Sequence, residues 1–314
     1  MKSLLSISDL SAEQVITLFN VAADIKANPS HYCDSLSGYH FALLFEKPSL
    51  RTRASFVTGI EKLGGKAHFY DLQNNKLGVR ESLKDFSANL SHWYQGVIAR
   101  VDEHATLQAL AHSNAYSVIN ALCDQFHPCQ ALADFFTLYE INPTLSDWSV
   151  AYLGDANNVS QSLLDVAEKL GATFSLVAPE CSLQTAGLEP SGSNQKTNAF
   201  TTKQACVKNV DSGIHYFHQP DCLRSADVVY TDVWVSMGQT DAVDKQLYQP
   251  FQVTPDLMRR LNASYFMHCQ PVHRGEEVVS DVCDGHWSIM QQQAANRMPI
   301  QQAILHCFFN EILT

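Results

Sequence analysis

Two patterns of apolar and polar residues alternate along this chain of 314 residues. Short runs of apolar, β-branched or aromatic residues are typical of buried strands, and longer stretches with helical periodicity separate them. In the first half, the pattern predicts strands at 39–45, 66–71, 96–101 and 116–121. It predicts helices there at 8–26, 50–63, 81–91, 105–112 and 128–140.

The second half repeats this alternation. Strands are predicted at 148–153, 173–178, 215–217, 228–231 and 265–268, and helices at 158–170 and about 290–312. Regular alternation of strand and helix is typical of parallel sheets that helices cover on both faces. The pattern therefore predicts an α/β fold.

The chain is too long for one typical core, so two domains are expected. The segment "EINPTLSDW" at 140–148 places Asn, Pro and Ser between the two strand–helix arrays and is the candidate boundary. The segment "GLEPSGSNQKTNAFTT" at 187–202 is polar and rich in turn-forming residues, which predicts a surface loop.

Composition narrows the classes of partner. The formal net charge of −11 argues against a nucleic-acid surface or an anionic membrane as partner. It does not argue against an anionic substrate, because a local basic pocket sets its own field. No apolar run approaches the length of a membrane span, and the N-terminal "MKSLLSISDLSAEQ" has no long apolar core, so neither a span nor a signal peptide is predicted.

The nine cysteines are irregularly spaced and form no C-x-x-C pair. Such a pattern favours reduced thiols over a disulfide framework or a structural zinc site. It predicts a cytoplasmic protein.

Polar residues follow the predicted strands at the points where they end, and parallel α/β sheets bind ligands at that edge. After the first strand, "FEKPSLRTR" brings Ser49, Arg51 and Thr52 to a helix start. Free N–H groups and the dipole at a helix N-terminus suit a phosphate, and a guanidinium binds it through two hydrogen bonds. The alternative is an N-cap serine with surface arginines.

Similar signals follow the other strands. Arg100 ends the third strand, and His127 with Gln130 lies at the helix entrance after the fourth. In the second half, Asp232 and Cys269 follow strands. The alternatives are a surface cap for Arg100, a structural histidine, an Asx-type turn at Asp232 and a small core residue at Cys269.

Taken together, these motifs resemble the aspartate/ornithine carbamoyltransferase family along nearly the whole chain. The family's S-T-R-T-R element corresponds to Ser49-Leu50-Arg51-Thr52-Arg53, and its H-P-x-Q element to His127-Pro128-Cys129-Gln130. Its D-x-x-x-S-M-G element corresponds to Asp232 to Gly238, and its H-C-L-P element to His268-Cys269-Gln270-Pro271. Its late arginine corresponds to Arg297 in "AANRM". The intact Ser-Met-Gly loop is typical of the ornithine branch.

The resemblance implies a carbamoyltransferase that moves the carbamoyl group of carbamoyl phosphate to the δ-amine of L-ornithine. It also implies two parallel-sheet domains linked by interdomain helices, with a carbamoyl-phosphate domain of residues 1–140 and 290–314 and an ornithine domain of residues 141–289. No metal or organic cofactor is implied. Family members are homotrimers or multiples of trimers, and a loop from a neighbouring subunit completes each site; here the loop "NNKLGVRES" would offer Lys76 or Arg80.

The residue roles implied by the resemblance fall into three sets. Carbamoyl phosphate would be bound by Ser49, Leu50, Arg51, Thr52, Arg100, His127, Gln130, Cys269, Gln270 and Arg297. Ornithine would be bound by Asn158, Asp232, Ser236 and Met237. Catalysis would rest on Arg51, Arg100, His127 and Cys269.

Two positions depart from the family pattern. Leu50 replaces the usual threonine and Gln270 replaces the usual leucine, so each is expected to act through its backbone. The "GDANN" turn leaves Asn158 as the better ornithine contact than Asn157.

Rival hypotheses are separated by the same motifs. An aspartate-specific relative would carry H-P-G-P in place of residues 268–271, and putrescine or acylated-ornithine relatives alter the Ser-Met-Gly loop. A silent carbamoyl-phosphate sensor would be expected to lack some of the catalytic set. A dinucleotide-binding oxidoreductase would need the glycine fingerprint that "GDANN" lacks.

Overall fold

A computed structural model describes residues 3–112, 115–188, 206–208, 213–235 and 244–313. The chain forms two compact units, one of Met1–Thr137 with Ala295–Thr314 and one of Leu138–Ala294. The following elements begin in the first unit: α1 Ala12–Ala27, β1 His40–Phe45, α2 Leu50–Lys62, β2 Lys66–Asp71, α3 Leu83–Leu90, β3 Gly96–Arg100, α4 His104–His112, β4 Ser117–Leu122 and α5 Pro128–Ile141.

The second unit continues the alternation. Its elements are β5 Ser149–Leu153, α6 Asn158–Leu170, β6 Thr173–Val177, α7 Glu180–Thr185, β7 Cys206–Lys208, β8 Ile214–Phe217, β9 Val228–Thr231, α8 Pro255–Arg260, β10 Tyr265–His268 and α9 Ser280–Cys283. The last helix, α10 Met290–Phe309, begins in the second unit and belongs mostly to the first. Short 3-10 turns lie at Ile7–Asp9, Pro29–Tyr32, Leu145–Asp147, Pro220–Cys222 and Lys245–Phe251.

Each unit is built on a largely parallel sheet. The first sheet has the strand order β2-β1-β3-β4, with all its pairs parallel. The second has the order β10-β9-β5-β6-β8-β7, in which only the pairing of β7 with β8 is antiparallel among the described strands. The α/β prediction is therefore confirmed.

Burial follows position in the sheet. β3 is buried throughout, as expected for a central strand between two neighbours and covering helices. β2 lies at the edge of its sheet and is mostly exposed. The apolar run that predicted each central strand is thus the part of the chain that forms the core.

The final helix α10 returns the chain to the first unit. Its Phe309 packs edge-on against Phe41 of β1, with ring centroids 4.9 Å apart. Gly96, at the start of β3, makes room for this packing, because a Cβ there would lie 2.7 Å from the Phe41 ring and 2.8 Å from the Phe309 ring. An alanine at this position would force the aromatic pair to move.

The predicted first helix was too long at its N-terminal end. α1 begins at Ala12 because Ser11 caps it, accepting from Gln14 N–H at 3.2 Å while the Gln14 side chain accepts from Ser11 N–H at 2.9 Å. The preceding residues form a separate 3-10 turn, in which the Asp9 carboxylate accepts the Ser6 N–H at 2.9 Å.

The predicted last helix extended too far. α10 ends at Phe309, Glu311 takes a left-handed φ of 54°, and Ile312 N–H bonds back to the Cys307 carbonyl at 3.0 Å. This geometry closes the helix C-terminus.

Candidate active site

In the first unit, Ser49 caps the N-terminus of α2 directly after β1. Its hydroxyl accepts the Thr52 N–H at 3.4 Å and donates to Thr52 Oγ1 at 2.9 Å. The Leu50 side chain is 82% exposed, so this residue offers the helix start only its backbone N–H. Arg51 also lies on this first turn and is exposed. The sequence motif therefore forms a helix start whose free N–H groups suit an anion.

Arg297 of α10 lies beside this helix start. Its Nη2 donates to Thr52 Oγ1 at 3.0 Å, and both side chains are buried. Thr52 Oγ1 accepts from both Ser49 and Arg297, which leaves its own proton to donate to a ligand. Two predicted site residues 245 positions apart are thus brought together.

Arg100 is the last residue of β3, and His127 directly precedes α5. Both side chains are buried. Burial, together with the nearby positive charges of Arg297 and Arg100, lowers the pKa of His127 well below its usual value. The imidazole is therefore neutral near pH 7. A neutral imidazole donates one hydrogen bond without competing for the anion that the arginines attract.

Gln130 lies one turn into α5 and is 1% exposed. Its Nε2 donates to the Asp134 carboxylate at 2.7 Å. Its Oε1 is buried and has no hydrogen-bond partner among the residues that the structure describes. A buried carbonyl oxygen without a donor suits an amide N–H of a ligand.

Glu46 was missed by sequence reasoning. This buried carboxylate follows β1 and accepts the N–H groups of Leu77 at 2.8 Å and Asp102 at 2.9 Å. It thereby fixes the segment behind Arg100 and the loop that contains Lys76. Its one mark in the sequence is its position, since "FEKPSLRTR" places a charged residue directly after a buried strand, and a surface charge can stand there as well.

Lys76, one of the two residues expected to reach a neighbouring subunit, pairs with Asp102 of its own chain. Lys47 also pairs with Asp102, at 3.2 Å. The other expected residue, Arg80, is exposed. Any reach across an interface by Lys76 would require it to leave Asp102.

In the second unit, Asp232 follows β9 and Cys269 follows the neighbouring β10. Cys269 Sγ donates to Asp232 Oδ1 at 3.0 Å. The same carboxylate accepts Val233 N–H at 2.8 Å and Asn157 Nδ2 at 3.3 Å. The parallel pairing of β9 with β10 brings these residues to one sheet edge, as the sequence predicted.

Asn157 and Asn158 have different positions at the start of α6. Asn157 is the N-cap, and its Oδ1 accepts the N–H groups of Val159 at 2.9 Å and Ser160 at 3.1 Å. Its carboxamide is thus committed to the helix start and to Asp232. Asn158 is the first helical residue. The predicted ornithine contacts Ser236 and Met237 lie outside the described residues.

Tyr152 of β5 also borders this edge and was not predicted. Its hydroxyl donates to Asn157 Oδ1 at 3.4 Å. Burial, together with the negative charges of Asp232 and Asp155, raises its pKa well above the usual value. The phenol remains a neutral donor near pH 7.

Comparison with known proteins identifies the family. Residues 2–140 match the carbamoyl-phosphate-binding domain of aspartate/ornithine carbamoyltransferases, and residues 146–308 match their aspartate/ornithine-binding domain. An ornithine carbamoyltransferase of Shewanella oneidensis is 44% identical over 312 residues, which cover 99% of this chain and 100% of that protein. One of Moritella profunda is 41% identical over 309 residues, covering 97% and 98%.

Solved structures agree. The ornithine carbamoyltransferase of Pyrococcus furiosus matches with a TM-score of 0.84 and 35% identity, covering 97% of this chain and 96% of that one. The Thermus thermophilus enzyme matches with a TM-score of 0.81 and 33% identity, covering 98% and 99%. The matching family models and relatives define a transferase. The chain belongs to the aspartate/ornithine carbamoyltransferase family.

No helix in the described part of the chain is long and apolar enough to cross a membrane.

Proposed function

We propose that this enzyme is an ornithine carbamoyltransferase, which converts carbamoyl phosphate and L-ornithine to L-citrulline and phosphate. The observation that carries the proposal is the contact of Arg297 with Thr52 at the capped start of α2. This contact joins a buried guanidinium, a hydroxyl and a helix N-terminus, three groups that favour a bound phosphate.

The binding set assigned to carbamoyl phosphate is the one that the family resemblance implies. Ser49, Arg51, Thr52 and the Leu50 N–H bind the phosphate. Arg100 and the neutral His127 donate to the carbamoyl oxygen. The Gln130 Oε1 and the carbonyl groups of Cys269 and Gln270 accept from the carbamoyl amide, and Arg297 joins the phosphate and carbamoyl ends.

Ornithine is held by the second unit. The Asp232 carboxylate suits the α-ammonium group, and Asn158 suits the α-carboxylate. Ser236 and the Met237 backbone complete this set. Cys269, whose thiol donates to Asp232, lies at the end that faces the reacting δ-amine.

The reaction is a carbamoyl transfer by addition and elimination. The neutral δ-amine attacks the carbamoyl carbon, and the carbonyl π electrons move to oxygen, where Arg100 and His127 stabilise the negative charge. The C=O bond re-forms as the C–O bond to phosphate breaks, its electrons leave with phosphate, and the proton that the amine nitrogen loses passes to an oxygen of the leaving phosphate. The protein's main contributions are positioning and preorganised positive charge.

The purified enzyme is expected to form citrulline from ornithine and carbamoyl phosphate, with a rate that rises from neutral toward alkaline pH. The reason is that the δ-amine of free ornithine is largely protonated near pH 7, as amines with a pKa near 10 are. Citrulline is measured with aspartate, putrescine or N-acetylornithine as competing acceptors. Carbamoylation of putrescine alone would overturn the substrate assignment, and carbamoylation of none of these amines would overturn the activity.

Homotrimer assembly is part of this proposal. Leu50, Tyr70 and Val79 are large exposed apolar side chains, and a groove of about 550 Å³ beside edge strand β2 is lined partly by Leu50 and Tyr70. Such a surface suits burial against another copy. Light scattering is expected to give three times the chain mass of 34.9 kDa, or a multiple of that, and a monomer would contradict the proposal. The free thiols of the described cysteines support a cytoplasmic location.

A further inference from the structure

A buried histidine holds the turn that follows β10. His268 is the last residue of this strand, and its side chain is fully buried. Its Nδ1 lies 2.8 Å from the N–H of Gln270, and its Nε2 lies 3.1 Å from Oε1 of Glu277. Both ring nitrogens therefore have partners.

These partners fix the tautomer of His268. A backbone N–H can only donate, so Nδ1 must accept from Gln270. The ring proton is then on Nε2, which donates to Glu277. Burial alone would raise the pKa of Glu277, but hydrogen bonds from His268 and from the His273 N–H outweigh it and hold that pKa below its usual value.

The turn at residues 269–270, which His268 and Glu277 hold, has an unusual backbone conformation. Gln270 has φ at +62°, a left-handed conformation that residues with a Cβ adopt at a cost. The hydrogen bond to His268 Nδ1 fastens the N–H of Gln270 in this conformation. On the other side of the turn, Cys269 Sγ donates to Asp232 at 3.0 Å.

We propose that His268 and Glu277 are positioning residues: the Glu277 carboxylate selects the Nε2–H tautomer of His268, whose Nδ1 holds Gln270 in the left-handed turn that presents the Cys269 and Gln270 carbonyl groups. This inference rests on the proposed function, in which those carbonyl groups orient the carbamoyl amide. Misplacing them slows the transfer step, while ornithine capture by Asp232 and Asn158 is preserved.

Two matched substitutions of His268 test the roles of its two ring nitrogens separately. In His268→Asn the amide oxygen replaces the Nδ1 acceptor, and in His268→Gln the amide replaces the Nε2 donor while the acceptor for Gln270 is lost. His268→Gln is expected to lower kcat by about 10- to 100-fold with little change in KM for ornithine. His268→Asn is expected to lower kcat much less than His268→Gln does. Equal losses of kcat in two folded variants would overturn the proposal.

A glycine at position 270 gives a rescue test. Glycine adopts positive φ without the cost that a Cβ imposes, so it needs the His268 anchor less. The double variant His268→Gln/Gln270→Gly is expected to recover part of the kcat that His268→Gln loses, with Gln270→Gly alone as the reference. Absence of any recovery would show that the His268 anchor does not act through the conformation of Gln270.

A matched pair of substitutions at Glu277 tests the same inference, and it does so even if the His268 variants do not fold. Glu277→Gln retains an oxygen that accepts the Nε2 proton, whereas Glu277→Met has the same length and no acceptor. Glu277→Met is expected to lower kcat as His268→Gln does, and Glu277→Gln to stay within about threefold of the wild type. An equal effect of both would contradict selection of the tautomer.

Thiol alkylation reports on the turn without any catalysis. Iodoacetamide labelling of Cys269, followed by mass spectrometry, is expected to be severalfold faster in His268→Gln than in the wild type, because the displaced thiol loses its bond to Asp232. Cys283, buried in the same unit, is the control for unfolding and should stay unlabelled. An unchanged Cys269 rate would contradict the inference even if the citrulline assay on the wild type confirms the proposed function.

Discussion

Arg297→Met is expected to weaken carbamoyl-phosphate binding by about 30- to 900-fold, equivalent to about 2–4 kcal/mol. Methionine retains most of the apolar stem and removes the buried guanidinium that contacts Thr52 at 3.0 Å. Binding is measured by calorimetry with carbamoyl phosphate, or with phosphate if the substrate decomposes. Arg259→Met, at an exposed arginine of α8, is the control and should leave affinity unchanged. An unchanged affinity in Arg297→Met would remove this residue from the site.

The same substitution makes a second, independent prediction at His127. Burial is the largest cause of its lowered pKa, and the positive charge of Arg297 adds to it. Removing that charge makes the protonated imidazole less unfavourable, so the pKa of His127 should rise while burial still holds it below its usual value. Titration of the His127 ring proton by NMR in both proteins checks the direction. A fall in the pKa would contradict the placement of Arg297 beside His127.

Sequence patterns predicted the fold well where burial determines the pattern. β9, β10 and α6 have the predicted bounds, because their apolar residues and flanking turn residues leave one interpretation; β2 also has the predicted bounds, although it is mostly exposed. The short elements β7, α7, α8 and α9 were missed. The helices α7, α8 and α9 have four to six residues, which are too few for a helical period to appear, and β7 has three.

The site was predictable in its chemistry but not in its contacts. The motifs identified Thr52 and Arg297, and the family resemblance implied that the end of the chain returns to the first domain, yet no local pattern indicates the contact between their side chains. Nor did the sequence distinguish the Glu46 carboxylate from a surface charge, because its partners are backbone N–H groups of segments that lie 31 and 56 residues away. Such partners are fixed by tertiary structure and leave no mark of their own in a single sequence.

Asp232→Asn is expected to raise KM for ornithine by about 100-fold while the affinity for carbamoyl phosphate changes less than about threefold. The substitution preserves shape, and the amide oxygen still accepts from Val233 N–H and from Cys269, which lie at 2.8 and 3.0 Å in the wild type. The substitution removes the negative charge that pairs with the α-ammonium group, and also the acceptor for Asn157 Nδ2, which lies at 3.3 Å in the wild type. Initial rates at saturating carbamoyl phosphate, with calorimetry for the second substrate, measure the two effects.

The control for this prediction is Asp165→Asn on α6. Asp165 is also a partly buried carboxylate of the second unit, and it accepts from Gln161 Nε2 at 2.7 Å, a bond that an amide oxygen can keep. Neither the KM for ornithine nor the affinity for carbamoyl phosphate should change in Asp165→Asn. If Asp232→Asn instead weakened both substrates equally, the proposed division between a unit that binds carbamoyl phosphate and a unit that binds ornithine would be wrong. A loss confined to ornithine would assign the recognition of the amino acid to the edge formed by β9 and β10, because the carboxylate at position 232 is the group that the substitution changes.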